Sequence, residues 1–87
     1  MKIKEGYMLS TVAGQAVVVP LGHTNTFRNM LKLNASGKLL WALLATETTR
    51  DALVDALAAE YELDRALAER DTDAFLDTLR KFDVLAE

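Results

Sequence analysis

The chain has no cysteine, one histidine and one proline. Without cysteine there is no disulfide frame, no thiol nucleophile and no thiolate metal site. The lone histidine, His23, stands in a polar stretch and cannot supply the three or four ligands of a zinc site. Neither Ser10 nor Ser36 has a histidine close in sequence to act as an activating base. No glycine-rich stretch of the GxGxxG or GxxxxGKS/T type is present to cradle a phosphate. No segment approaches the ~20 apolar residues of a membrane span, and the N-terminal MKIKEGYML lacks the apolar core of a signal peptide. These absences point away from an enzyme, a metal or cofactor carrier and a membrane protein, and toward a cytoplasmic binding protein. There is also no Pro-Gly-Ser linker, so residues 1–87 read as a single domain. A chain of this length buries only roughly 60–65% of its unfolded surface, too little for a deep enclosed site.

Just over half of the residues are apolar, which is a globular composition. Charge is unevenly spread. Residues 1–44 carry five basic residues against Glu5 alone, a net +4, whereas residues 45–87 carry five against twelve acids, a net −7. Solvated helix faces account for the acidic half; an acidic partner would meet the first half, near Lys32.

Tyr7–Val12 and Ala16–Val19 are rich in β-branched and aromatic residues, and Ala13-Gly14 between them is a turn signal, so a β-hairpin is expected. Pro20, which lacks an N–H, ends the second strand or sits on an edge. The polar Leu21–Asn29 reads as a loop. A third short strand, Met30–Leu33, then runs into Asn34, a preferred N-cap. The first helix follows over about Ala35–Leu44, with Leu39, Leu40, Leu43 and Leu44 at 3–4 spacing and Trp41 beside them. Gly37 in its first turn costs up to ~1 kcal/mol against alanine, which close packing near the sheet explains.

Thr49 caps a second helix to about Tyr61, with Asp51 in its first turn where the helix dipole favours negative charge. Asp64 caps a third, over about Arg65–Phe82. Ala68, Thr72, Phe75, Leu76, Leu79 and Phe82 fall within roughly 120° of its wheel and form the expected core face. Leu67, Asp71, Ala74 and Thr78 lie along one flank, and Asp73, Asp77 and Arg80 point to water. Val84-Leu85 is expected to tuck back as a closing segment. The plan is thus α+β, a three-stranded antiparallel sheet followed by three helices (β-β-β-α-α-α), the inventory of a winged helix-turn-helix.

That inventory raises nucleic acid. A DNA-binding face needs unneutralised Lys and Arg, but the second and third helices are both net acidic, so DNA binding is disfavoured there. A three-stranded sheet also has two open edges, and an edge beside a helix forms a slot for an extended peptide. Met30–Asn34 is one such edge. Asp71, on the border of the apolar stripe, either pairs locally or offers a polar contact in a groove beside the third helix.

The ordered set Leu33-Asn34-Ala35-Ser36-Gly37, Leu40-Trp41, Leu43-Leu44, Thr49, Leu53, Leu57, Tyr61, Asp71, Phe75-Leu76, Leu79 and Val84-Leu85 resembles the PqqD family, the peptide chaperones of pyrroloquinoline quinone synthesis. More broadly it is similar to stand-alone recognition elements for ribosomally made, modified peptides. The resemblance runs from about Tyr7 to Leu85. Thr72 stands where an aliphatic residue is usual, and Asp83 where glycine is common.

The resemblance implies a non-catalytic adaptor without a cofactor. Such a protein binds the leader segment of a precursor peptide as an added strand between the third strand and the third helix. It presents the peptide to a modifying enzyme, often a radical S-adenosylmethionine (radical SAM) protein. Carried onto this chain, the slot is the backbone of Met30, Leu31, Lys32, Leu33 and Asn34. The helical wheel adds Leu67, Arg70, Asp71, Ala74 and Thr78 as its wall. Family members exchange strands, so a monomer or a homodimer is expected, with neither nucleic acid nor membrane as partner. The alternative is a winged-helix regulator that binds DNA or another protein.

Overall fold

The computed structural model describes residues 1–21 and 31–87. His23, Arg28, Met30 and the loop expected up to Asn29 therefore lie outside the described residues, apart from Leu21. The chain runs β1 (Lys2–Ile3), β2 (Tyr7–Val12), β3 (Gln15–Pro20), β4 (Leu31–Leu33), α1 (Ala35–Leu43), α2 (Arg50–Tyr61), α3 (Arg65–Lys81) and β5 (Leu85–Ala86). Three antiparallel strands in the order β2-β3-β4, then three helices, form the body of the molecule.

The hairpin closes where expected. Ala13 and Gly14 both take positive φ, 52° and 81°, which matches the right-handed twist of the strands they join. Val12 faces Gln15 across the turn, and pairing continues to Tyr7 opposite Pro20. Pro20 is the last residue of β3, so its missing N–H interrupts no ladder. On the other side of β3, Ala16, Val17 and Val18 pair with Leu33, Lys32 and Leu31. Leu31 and Leu33 are buried and Lys32 between them is exposed, the period-two alternation of a half-buried strand.

All three helices start on their expected caps. Asn34 Oδ1 accepts from the Gly37 N–H at 2.8 Å, Thr49 Oγ1 from Ala52 at 3.1 Å and Asp64 Oδ1 from Leu67 at 3.0 Å. Their apolar stripes meet the sheet in one core. Leu40, Leu44, Leu53, Leu57, Leu76 and Leu79 are each at most 1% exposed, and burying a leucine contributes about 2 kcal/mol. Gly37 is packed against Phe75: a Cβ there would lie 3.2 Å from Phe75 Cε1 and 3.2 Å from Asn34 Oδ1.

Two features depart from the expectation. Phe82, placed on the core face of the third helix, is 38% exposed. It caps α3, and Asp83 turns left-handed at φ 59°. The N–H of Asp83 bonds Arg80 O and that of Val84 bonds Leu79 O, both at 3.1 Å. This is a Schellman stop, in which the residue after the turn packs back on the helix. Val84, not Phe82, therefore takes the core position beside Leu79. The left-handed φ of Asp83 also explains why glycine suits this position.

The second departure is a two-stranded sheet of β1 and β5, pairing Lys2 with Ala86 and Ile3 with Leu85. On its far side β1 bonds the α1–α2 connector, through Ile3 N–H to Leu44 O and Thr48 N–H to Met1 O, both at 2.9 Å. The Met1 ammonium completes this clamp with Thr48 O at 2.9 Å and with the Glu47 carboxylate. Two-residue strands have no periodicity to read, and their partners stand more than eighty residues apart.

Buried Thr72 carries a hydroxyl with no hydrogen-bond partner. An unsatisfied buried hydroxyl costs about 1–3 kcal/mol, so Thr72→Val, which keeps the β-branched shape, is expected to stabilise the fold by about 1 kcal/mol. The thermal midpoint should rise by about 5 °C for a domain of this size, measured by circular dichroism melting.

Three carboxyls sit below their ordinary pKa: Asp73 through hydrogen bonds from Arg50, Glu87 through those from Arg80, and Glu47 through that from the N-terminal ammonium. A carboxyl depressed in the fold gives stability that is present above its unfolded pKa and lost as pH falls through the folded value. The thermal midpoint should therefore hold from pH 7 to about 5 and fall below about pH 4. Asp73→Asn should make that fall shallower.

Candidate functional site

Among the described residues β4 is an edge strand, hydrogen-bonded on one side only. Which of its peptide groups are free follows from the hairpin. A two-residue turn makes its closing pair, Val12 and Gln15, a hydrogen-bonded pair, and backbone direction alternates from there. Ala16 and Val18 thus turn their peptide groups toward Leu33 and Leu31, while Lys32, opposite Val17, turns its N–H and C=O to the open edge. Gln15 seals the end of the ladder, its side-chain amide donating to Leu33 O at 3.1 Å and Ala16 O at 3.2 Å.

Beside this edge lies an open groove of about 390 Å³, lined by Gln15, Leu31, Lys32, Leu33, Asn34, Gly37, Phe75 and Thr78. One bank is β4, the far bank is α3, and Gly37 at the start of α1 lines the groove without a side chain to fill it. Thr78 Oγ1 already donates to Ala74 O at 3.1 Å, and Asn34 is occupied by capping. The groove thus sets Leu31, Leu33 and Phe75 among polar groups that are already hydrogen-bonded, and among the described residues Lys32 is its one charged lining residue.

Nothing in it resembles a reacting centre, since it joins no nucleophile to a base. Among the described residues no group of three or more His, Cys, Asp or Glu is placed to hold a metal ion. No helix of the described chain is long and apolar enough to cross a membrane. What the site offers is backbone hydrogen bonding along a strand, with side-chain contacts on one flank.

Of the site residues expected from sequence, Leu31, Lys32, Leu33, Asn34 and Thr78 converge on this groove. Met30 lies outside the described residues. Leu67, Arg70, Asp71 and Ala74 share α3 but do not line the groove; they lie toward the N-terminus of that helix. Asp71 is 44% exposed and 3.6 Å from Arg70, itself 74% exposed. Three lining residues were missed. Phe75 was assigned to the core face but is only partly buried and serves both core and groove; its spacing of three from Thr78 is the signal that could have found it. The close packing expected of Gly37 is what brings it to the groove. Gln15 has no local signal, because its role depends on the β3–β4 pairing.

A second cavity of about 440 Å³ meets the first at Leu31 and continues past Tyr7, Pro20 and Phe82. On the outer surfaces of α2 and α3 three arginines are held in ion pairs, while Lys81 and the largely exposed Arg70 are not held in this way. Arg50 grips Asp73 with two bonds, at 2.6 and 2.9 Å, Arg65 meets Asp55 at 2.6 Å, and Arg80 meets Asp77 and Glu87, both at 2.9 Å.

Comparison with known proteins bears on this geometry. A family model described as Coenzyme PQQ synthesis protein D (PqqD) matches residues 15–85, which include β3, β4, every groove residue and all three helices. A comparison with curated protein sequences gave no match. Among solved structures, TbiB1 in complex with the TbiA(beta) leader peptide is similar over the whole of both chains, with 31% sequence identity and a TM-score of 0.76. With this coverage by the family model, the chain belongs to the PqqD family.

Proposed function

We propose that this protein is a non-catalytic adaptor that captures the leader segment of a ribosomally synthesised precursor peptide as an added strand on β4, beside α3. The observation that carries this reading is the open edge of β4 beside a groove that holds Leu31, Leu33 and Phe75. Its support from outside the chain is the similarity to TbiB1, which was solved with a leader peptide. Strand addition needs donors and acceptors pointing outward from an edge, and Lys32 presents both. Leu31, Leu33, Phe75 and Thr78 form the floor and far bank against which alternate peptide side chains pack. Leu67, Arg70, Asp71 and Ala74 extend the wall along α3 for a longer segment.

The adaptor then presents the rest of the peptide to a modifying enzyme, of the radical SAM class on the family resemblance. Its contribution is proximity: a captured leader on a short flexible tether holds the core peptide at about millimolar effective concentration. A winged-helix regulator on DNA draws no support from the surface, because Arg50, Arg65 and Arg80 are held by carboxylates and cannot release phosphate counterions without first breaking those pairs.

The reading is tested by titrating isotope-labelled protein with the leader peptides encoded beside its gene and following backbone amide shifts. The expected result is a set of large changes at Leu31–Asn34, Gln15, Gly37 and the Phe75–Thr78 face of α3. Changes confined to β2, or none with any of these peptides, would overturn it.

A further inference from the structure

We infer that β4 selects its peptide by charge as well as by backbone: the residue directly opposite Lys32 in the added strand is acidic, and its two neighbours are apolar. This rests on the strand-addition reading and specifies what that strand must contain. Because Lys32 turns its peptide group to the open edge, it forms the hydrogen-bonded pair with the incoming residue. Side chains of such a pair stand on the same face of the sheet. That is the face on which Lys32 is exposed, opposite to the side of buried Leu31 and Leu33, although Lys32's cross-strand neighbour Val17 is itself buried. The neighbours of the incoming residue point the other way, into the groove over Leu31, Leu33 and Phe75.

The charge of Lys32 is unanswered by the protein. It makes no ion pair among the described residues, and the stretch outside them, 22–30, contains no acid. In the row across the sheet its neighbours are Val17 and then Ser10. This contrasts with Arg50, Arg65 and Arg80, each already held by carboxylates. An acid on the inner face would lie over Leu31, Leu33 and Phe75, where the groove's described lining offers no cation but Lys32, which points outward. Further along α3 it would approach Asp71, a like charge one helical turn before Phe75. The outer position opposite Lys32 is therefore where this groove favours a carboxylate, and the inner positions over Leu31, Leu33 and Phe75 are the ones where it is penalised; Lys81 lines only the adjoining cavity beyond Leu31. An exposed cross-strand pair of opposite charge changes affinity by about two- to fivefold, and like charges in the same place act in the opposite sense. Reversal of one partner should thus weaken binding by about tenfold.

The test is selection of a random 12-residue peptide display library against the protein and, in parallel, against Lys32→Glu. Enriched peptides are then assayed for amide shifts at Leu31–Asn34. Wild-type selection is expected to enrich Asp or Glu at one fixed position flanked on both sides by apolar residues. Lys32→Glu is expected to enrich Lys or Arg at that same position. In one selected peptide, changing the acid to lysine should cost about tenfold in affinity and be rescued by Lys32→Glu, while moving the acid two positions along should not be rescued. Peptides that shift the β4 amides without a fixed acidic position, or the same peptides from both selections, overturn the charge inference and leave strand addition standing. If no enriched peptide shifts the β4 amides, strand addition fails and the inference fails with it.

Discussion

The structure depends on the antiparallel pairing of β4 with β3. That pairing is made of three residues, Leu31–Leu33, and its register follows from burial. Leu31 and Leu33 must face the core beside Val18 and Ala16. A slip of one residue would bury Lys32 and expose both leucines, at a cost no other contact repays. With the register set, everything else at the site is stereochemistry. The peptide groups of Leu31 and Leu33 are committed to β3, that of Lys32 is left open, and the chain enters α1 at Asn34 with Gly37 close enough to touch Phe75. The same two leucines that hold the strand in place also form one bank of the groove.

The two halves of the molecule divide the labour electrostatically. The helical half is strongly acidic, yet its arginines are tied to carboxylates across α2 and α3 and at the C-terminal segment. These are exposed pairs and contribute little each to stability. Their larger effect is to neutralise Arg50, Arg65 and Arg80 on the helical surface, where Lys81 and Arg70 are the cations left largely free. Among the described residues Lys32 at the open edge is in no ion pair, whereas Lys4 meets Asp83 at 2.6 Å. An adaptor of this kind gains selectivity where a cation stands free and loses non-specific attraction to polyanions where cations are neutralised.

Small size makes peripheral contacts count. The β1–β5 ladder and the Met1 clamp on Thr48 join both ends of the chain to the α1–α2 connector. They brace the core while the β4 edge is left open among the described residues. The unsatisfied Thr72 hydroxyl lies in that core and is a local defect, tolerated because the surrounding leucines are fully buried.

Much of this was legible in the sequence, for reasons that can be named. Asn34, Thr49 and Asp64 announced the helix starts because capping is a local hydrogen bond, and Ala13-Gly14 announced the turn because positive φ is a local steric matter. The leucine spacing of the helices and the alternation around Lys32 assigned their buried faces. Those signals lie within a few residues of the features they describe. Phe82 was misplaced because a helical wheel assumes that the helix continues, whereas the left-handed Asp83 ends it and hands the core position to Val84. The pairing of β1 with β5 and the place of Gln15 at the groove had no local signal, and the double role of Phe75 had only its spacing from Thr78. The sequence by itself determined the elements, their caps, the family resemblance and the candidate strand edge. Only the tertiary structure decided which side of β4 stays open and which face of α3 lies opposite it, because those depend on contacts between residues far apart in the chain, which no local pattern encodes.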